Sequence, residues 1–145
     1  MGTFGADHIR NEALLLARLL IALLFVIFGW GKLTGFSETV QYMGHVGAPL
    51  PTLAAIVAIA MELFVGIAII LGILTRPLAL LLALYTLGTA LIAHHYWTMA
   101  GVEHFENEIQ FYKNISIIGG LLVLYVTGAG GYSIDAILGA PDPSR

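Results

Sequence analysis

The sequence predicts an all-α fold, a membrane-embedded four-helix bundle with a short interfacial amphipathic helix between its first two spans. Of the 145 residues, 59% are hydrophobic and 10% are charged, with a mean hydropathy of +0.91, whereas about a quarter of the residues in a soluble domain are charged. Four apolar stretches approach the roughly 20 residues that a bilayer-crossing helix needs. We therefore expect one domain over residues 13–128, between a polar N-terminal segment, residues 1–12, and a polar tail, residues 129–145.

The first span is predicted over residues 13–28, or as far as Lys32 if its polar end is included. No convincing small-x-small cleavage site follows it, which favours a retained span over a signal peptide. Gly29 and Gly31 are predicted to end this helix, because glycine tolerates positive φ. Arg18 lies little more than a turn from the helix start, so its side chain either extends to the interface or faces the interior as an ion-pair partner.

The interfacial helix is indicated by apolar residues that recur at helical spacing from Phe36 to Met43. Ser37 is a suitable N-cap for it. An amphipathic helix of this kind lies along the membrane surface with its apolar side towards the acyl chains. Pro49 and Pro51 then break the helix and turn the chain into the second span.

The second and third spans are predicted over residues 53–71 and 78–93 as antiparallel neighbours, because the turn between them is short. The third span meets the surface at a polar, aromatic segment beginning with His94 and His95. Adjacent residues point about 100° apart on a helix, so these two side chains do not ligate one metal from a single face. We assign no metal site to the sequence.

The fourth span is predicted from about Ile109 to Gly128, after a loop over residues 98–107 that carries acidic residues. Basic residues in short loops face the cytoplasm. Four arginines share one side of the predicted topology: Arg10, Arg18, Arg76 and Arg145. We therefore expect a multi-pass protein of the cell (inner) membrane with both termini in the cytoplasm.

Glu62 is the only charged residue in the second apolar stretch. A charge near the bilayer centre costs about 2.5 kcal/mol or more, which marks it as a candidate functional residue. Helical side chains lean towards the helix N-terminus, which favours Lys113 with Asn114 as its partner over Arg18, and Lys32 lies on the same side as Lys113. Two interpretations stay open: an ion pair that fixes helix register, or a pocket in which the carboxylate takes up a proton or binds a ligand headgroup. Five aromatic residues are candidates to line such a pocket: Trp30, Tyr42, Tyr85, Trp97 and Tyr112.

Composition excludes several kinds of chemistry. The chain has no cysteine, which excludes disulfide exchange, thiolate metal sites and thiol relays. No histidine lies in the middle of a predicted span, so haem ligation is not indicated, and no flavin or nucleotide motif is present. The net charge of −3 comes without a basic patch that would indicate nucleic acid as a partner.

Several short motifs occur together in one order: an arginine early in the first span, Gly29-Trp30-Gly31-Lys32-Leu33 at its end, a glutamate in the middle of the second span, and Phe111-Tyr112-Lys113-Asn114 in the fourth. In this pattern the chain resembles the DoxX family of small integral membrane proteins. The resemblance implies a redox-associated, quinone-linked subunit with quinone as the cofactor and Glu62 as the candidate catalytic residue. It also implies the ligand or ion-pair positions Arg18, Lys32, Lys113 and Asn114.

The alternatives to a redox subunit are a non-catalytic assembly or chaperone subunit and, ranked third, a small proton-coupled transporter. A chain without an electron carrier of its own needs a redox partner protein for the first role. The expected partners are therefore the lipid bilayer and that redox protein, with a homo-oligomer left open.

Overall fold

A computed structural model describes residues 8–139, and these residues form helices without any β-strand. Within this range four helical segments are long and apolar enough to cross a membrane. They are the first span Arg10–Thr34, the second span Pro51–Leu71, the third span Thr75–Thr98 and the fourth span Gly101–Thr127. The third consists of an α-helix, Thr75–Ala93, and a 3₁₀ turn, Tyr96–Thr98. The predicted all-α, four-helix architecture is confirmed.

The four spans form a ring in which each packs on the next and the fourth closes against the first. Their core is most continuous in the half of the bundle where the second span ends and the third begins. Ile69, Ala79 and Leu121 are completely buried there, each from a different span. These side chains belong to one continuous apolar core cluster, which packs this half of the bundle.

The predicted interfacial helix is present as Phe36–His45 and packs on the first half of the second span. Ser37 does not cap it, since Gly35 precedes the helix and no side chain bonds to its first amides. Leu50, in a left-handed conformation with φ of 50°, then leads into the second span at Pro51. The interfacial helix Phe36–His45 therefore covers one end of the bundle.

The first span is longer than predicted, because its helix continues through Gly29 and Gly31 to Thr34. Inside a membrane the backbone has no water to bond to, so a helix keeps its own hydrogen bonds even where glycine occurs. Gly29 serves close packing here rather than termination. The extra turns carry Lys32 on a helix instead of a loop.

Two further boundaries differ from the prediction. The fourth helix begins at Gly101 rather than near Ile109, so most of the predicted acidic loop is helical. Gly101, at φ of 62°, allows the sharp entry into the helix. The third helix begins at Thr75, which places Pro77 in its first turn, where a missing amide hydrogen costs no helical bond.

The two ends of the described chain are ordered against the bundle. The first helix begins at Arg10, within the predicted N-terminal segment, and residues 1–7 lie outside the described range. In the predicted tail a short helix, Ile134–Ile137, is capped by Ser133, whose Oγ accepts the Ala136 N–H at 3.1 Å. Residues 140–145, which include the Arg145 used for orientation, lie outside the described range.

Candidate functional site

The second span is interrupted by a π-helical turn, Ala60–Val65, with Glu62 in its middle. π-turns are rare and occur frequently at functional sites, because the wider turn shifts side chains from their regular helical positions. The first span supports this turn closely. A Cβ atom placed on Gly29 would lie 2.5 Å from the Leu63 nitrogen and 2.9 Å from the Glu62 carbonyl carbon. The irregular backbone at Glu62 is therefore enclosed by protein.

Both oxygens of the Glu62 carboxylate are bound by side chains from neighbouring spans. Lys32 Nζ lies 2.6 Å from Oε2, and the Tyr85 hydroxyl donates to Oε1 at 2.6 Å. Glu62 is 8% exposed, so these bonds replace the water that the carboxylate loses on burial. The Lys32 ammonium also lies 5.7 Å from the centre of the Phe28 ring. One carboxylate thus joins the first, second and third spans.

The pairing of Glu62 with Lys113, which the lean of the side chain favours, is not the one that forms. Lys32 makes the ion pair instead. The reason is the longer first helix, which places Lys32 almost one turn beyond Gly29, the residue in contact with the Glu62 backbone. The predicted lean itself agrees with the structure, because Lys32 and Lys113 both line the cavity that Glu62 enters.

This cavity has a volume of about 900 Å³. It lies between the end of the first and third spans and the start of the second and fourth, beneath the short helix Phe36–His45. The first half of the second span packs mainly on the first span and the short helix, which leaves space next to the third span. Leu53, Val57 and Ile92 line the cavity and are substantially exposed. The cavity is therefore partly open rather than sealed inside the bundle.

Lys113 and Asn114 lie on the wall that the fourth span contributes. The buried Asn114 amide donates to Thr89 Oγ1 at 3.2 Å, which joins the third and fourth spans. Lys113 Nζ donates to Gln110 Oε1. The sequence thus predicts correctly that Lys32, Glu62, Lys113 and Asn114 share one region.

Arg18 does not belong to this region. It is completely buried at the other end of the bundle, where it donates to the Tyr132 carbonyl and lies against Gly72. Of the two alternatives for this residue, the side chain faces the protein interior, but it makes no ion pair with Glu62. The C-terminal segment covers Arg18. It includes Asp135, whose carboxylate binds the turn before the third span.

Asp135 binds two backbone amides of that turn. Its Oδ1 accepts the Leu74 N–H at 2.8 Å and its Oδ2 accepts the Thr75 N–H at 2.9 Å. The Asp135 amide in turn donates to the Gly72 carbonyl at 2.9 Å. No sequence pattern links these positions, because they are about 60 residues apart. The segment predicted as a polar tail is therefore partly a structural cap.

Of the five aromatic candidates, Tyr42 and Tyr85 line the cavity, and Trp30, Trp97 and Tyr112 do not. Burial is the main cause that raises the pKa of Tyr42 above its ordinary value, and the negative charge of Glu62 is the second.

The sequence analysis did not predict several polar residues that line the cavity: Thr39, Thr86, Thr89, His94 and Gln110. For the third span a sequence signal existed: Tyr85, Thr86 and Thr89 lie within little more than one turn of an otherwise apolar helix, which indicates a polar face there. Within residues 8–139 no group of three or more His, Asp or Glu side chains is arranged to hold a metal ion.

Comparison with known proteins identifies the family of the chain. The DoxX family model matches residues 13–95, which include the second span with Glu62 and most of the first and third spans. The chain belongs to the DoxX family. Two Escherichia coli (strain K12) relatives cover almost the whole of it: inner membrane protein YphA is 53% identical over 91% of this chain and 93% of its own length, and inner membrane protein YqjF is 42% identical over 90% and 95%.

A more distant relative of this DoxX-family chain comes from Bacillus subtilis (strain 168). It is named "Putative oxidoreductase CatD" and is 35% identical over 51% of this chain and 54% of its own length. No solved structure matches the chain significantly.

Proposed function

We propose that this DoxX-family protein is a quinone-linked subunit of a membrane redox system that binds the ring of a lipid-soluble quinone in the cavity above Glu62. The observation that carries the proposal is the cavity itself. Its volume of about 900 Å³ lies within the roughly 300–1,000 Å³ of small-molecule sites. Its walls are largely apolar and also carry polar groups such as Lys32, Glu62 and Lys113, a combination typical of such sites.

The residues present fit a quinone. A quinone ring has two apolar faces and carbonyl oxygens at its edge, so it needs an apolar slot with hydrogen-bond donors. Lys113 and Tyr42 line the cavity, each with a donor group. When bound, a quinone supplies reversible two-electron, two-proton chemistry. In this proposal the chain's own contribution is to exclude water, to hold the ring, and to provide the Glu62 carboxylate as a proton acceptor that Lys32 and Tyr85 keep in place.

Electrons must come from elsewhere in this proposal, because the sequence has no cysteine, no histidine in the middle of a span and no flavin or nucleotide motif. We therefore propose a redox partner protein. The similarity to a protein named as an oxidoreductase supports this role. Entry of the ligand from the bilayer is supported by the exposure of Leu53 and Val57 beside the cavity, since a lipid-soluble molecule reaches such an opening without crossing water.

An assembly subunit is the second candidate, and one observation favours it. The bonds of Lys32 and Tyr85 to Glu62 join three spans, which is what a register-fixing network would do. In that case the cavity would bind nothing and the network would serve stability alone. Binding measurements on variants that fill the cavity without touching the network separate the two functions.

Gly88 offers such a variant. It lines the cavity, and a Cβ placed on it would meet no atom within 4 Å. Gly119, on the fourth span, also has open space around a Cβ but does not line the cavity. Gly88→Leu therefore fills the site, and Gly119→Leu is its matched control. Both changes replace a helical glycine, so both gain helix propensity by up to about 1 kcal/mol.

The test is a thermal-shift titration of the purified protein with a short-chain ubiquinone. A ligand present at 100 times its Kd stabilises the folded state by about 2.7 kcal/mol. We expect a concentration-dependent rise in Tm for the natural chain and for Gly119→Leu, a weaker one for Glu62→Gln, and none for Gly88→Leu. Equal shifts in all four proteins would indicate detergent partitioning and refute the site. No shift in any of them would favour the assembly function.

We further propose that the protein lies in the inner membrane, as the names of YphA and YqjF state for those relatives, with both termini in the cytoplasm. The cavity then opens in the outer half of the bilayer. Because the chain has no cysteine, single introduced cysteines report sidedness cleanly. A membrane-impermeant maleimide on spheroplasts is expected to label Ser37→Cys but not Gly139→Cys, both at exposed positions. Labelling of Gly139→Cys but not of Ser37→Cys would show the opposite orientation in the membrane.

A further inference from the structure

Lys113 is a lysine of the cavity wall that forms no ion pair with any residue of the range 8–139. It is half-buried, and its ammonium donates to the uncharged Gln110 amide oxygen. Among residues 8–139 no carboxylate lies within ion-pair distance of it. Glu62, the buried acid of the same cavity, has both oxygens occupied by Lys32 and Tyr85.

Two lysines and two acids line the described part of the cavity, but among them only Lys32 and Glu62 form an ion pair. The Lys32–Glu62 pair neutralises itself at 2.6 Å, and Glu38, the other acid that lines the cavity, is an exposed residue of the short helix. Lys113 remains as one positive charge next to apolar walls. A charge removed from water is costly unless it is paired, and ionisable groups within membrane segments commonly mark the position of a ligand or an ion. A ligand that brings a negative oxygen would supply the missing partner.

We propose that the cavity recognises an aromatic ligand with an ionised oxygen, a hydroxyquinone or an aromatic carboxylate, and that Lys113 binds this oxygen. The inference rests on the proposed function for the place of binding and goes beyond it in the class of ligand. The aromatic body lies among the apolar side chains of the cavity, and the acidic oxygen accepts from the Lys113 ammonium. The neutral Gln110 amide then orients the ammonium without competing for its charge.

The experiment uses three probes of similar size on the purified full-length protein. They are 1,4-naphthoquinone, which is neutral, 2-hydroxy-1,4-naphthoquinone, which is ionised at neutral pH, and 1-naphthoate, an ionised aromatic acid that is not a quinone. Kd values are measured by calorimetry at pH 7 for the natural chain, Lys113→Met and Lys113→Arg. Methionine keeps much of the apolar stem and removes the charge, whereas arginine retains the charge. Circular dichroism and gel filtration confirm that each variant is folded.

We expect the natural chain to bind the hydroxyquinone roughly 10-fold to 100-fold more tightly than the neutral quinone, the range of a hydrogen bond to a charged group. Lys113→Met should remove this preference, because it should weaken binding of the hydroxyquinone far more than binding of the neutral quinone, and Lys113→Arg should keep the preference. Equal affinity for the two quinones, unchanged in Lys113→Met, would overturn the inference and leave the proposed quinone function intact. Binding of naphthoate and the hydroxyquinone through Lys113, without binding of the neutral quinone, would support the acidic ligand and refute a neutral quinone as the cofactor. Failure of all three probes to bind would overturn both proposals.

Discussion

Gly29 and Leu63 bring the backbones of the first two spans into direct contact at the π-helical turn. A Cβ on Gly29 would lie 2.5 Å from the Leu63 nitrogen and 2.9 Å from its Cα. These are backbone atoms, so the neighbour has no flexible side chain that can move aside. Lys32 follows Gly29 by three residues on the same helix. The close contact at Gly29 therefore fixes the position of Lys32 along the helix axis relative to Glu62.

Replacing Gly29 with alanine is therefore expected to destabilise the bundle. The added methyl forces the two spans apart, at a cost of about 1–3 kcal/mol for an overpacked interior. Gly31→Ala is the matched control in the same helix, because a Cβ there meets no atom within 4 Å. It should be neutral or stabilising by up to about 1 kcal/mol. Thermal unfolding in detergent measures both, and similar Tm values would contradict the close approach.

The Lys32–Glu62 pair is expected to show strong coupling in a double-mutant cycle. Glu62→Gln leaves the Lys32 ammonium without its anion, and Lys32→Gln leaves the buried Glu62 carboxylate without its cation. Breaking a fully buried pair costs about 3–5 kcal/mol. Because the Lys32 side chain is 22% exposed, we expect about 1–3 kcal/mol for each single variant.

The double variant, Lys32→Gln with Glu62→Gln, should lose less stability than the two single changes together, since neither charge is then left alone. Unfolding free energies of the four proteins, measured at equal detergent concentration, give the coupling. Additive losses would show that the ion pair makes no net contribution and that each residue acts through other contacts.

Gly72 is expected to be intolerant of substitution. It has φ of +69°, and a Cβ on it would overlap Arg18 Nη1 and the Ser133 side chain. Gly47 has a similar φ of +78° with no atom within 4 Å of a Cβ. Gly47→Ala should therefore cost only the left-handed backbone conformation, about 1–2 kcal/mol, and Gly72→Ala about 1–3 kcal/mol more from overlap with the buried arginine. Equal losses of unfolding free energy in the two variants would argue against the packing of the C-terminal segment over Arg18.

Tyr42 is expected to ionise above the ordinary tyrosine pKa of about 10. Burial is the main cause, and the nearby Glu62 carboxylate is the second. The unfolded chain then releases this proton at a lower pH than the folded chain, so the free energy of unfolding falls as the pH rises above about 10.

Ultraviolet difference titration of the natural chain against Tyr42→Phe isolates this group from the other tyrosines. In a Glu62→Gln background the midpoint should move down only part of the way, because burial remains. A midpoint at the ordinary value in both backgrounds would place Tyr42 in water rather than in the cavity wall.

Local sequence signals predicted the elements of this fold well. Apolar runs of spanning length identify the four spans because the bilayer leaves a helix as the simplest way to satisfy the backbone. The lone charge in the second span identifies Glu62 for the same reason, since a carboxylate in that setting needs partners. Spacing identified the short helix Phe36–His45 as well. Each of these conclusions depends on a property of one segment and on the solvent around it.

The sequence by itself thus determined the all-α membrane fold, the buried carboxylate and a set of basic and amide residues for its surroundings. Only the tertiary structure decided that Lys32 rather than Lys113 pairs with Glu62, and that Arg18 lies at the opposite end under the C-terminal segment. The physical reason is that these contacts depend on how far helices continue and how closely they approach. The first helix continues past its close contact at Gly29 with the π-turn, and this continuation places Lys32 beside the Glu62 carboxylate.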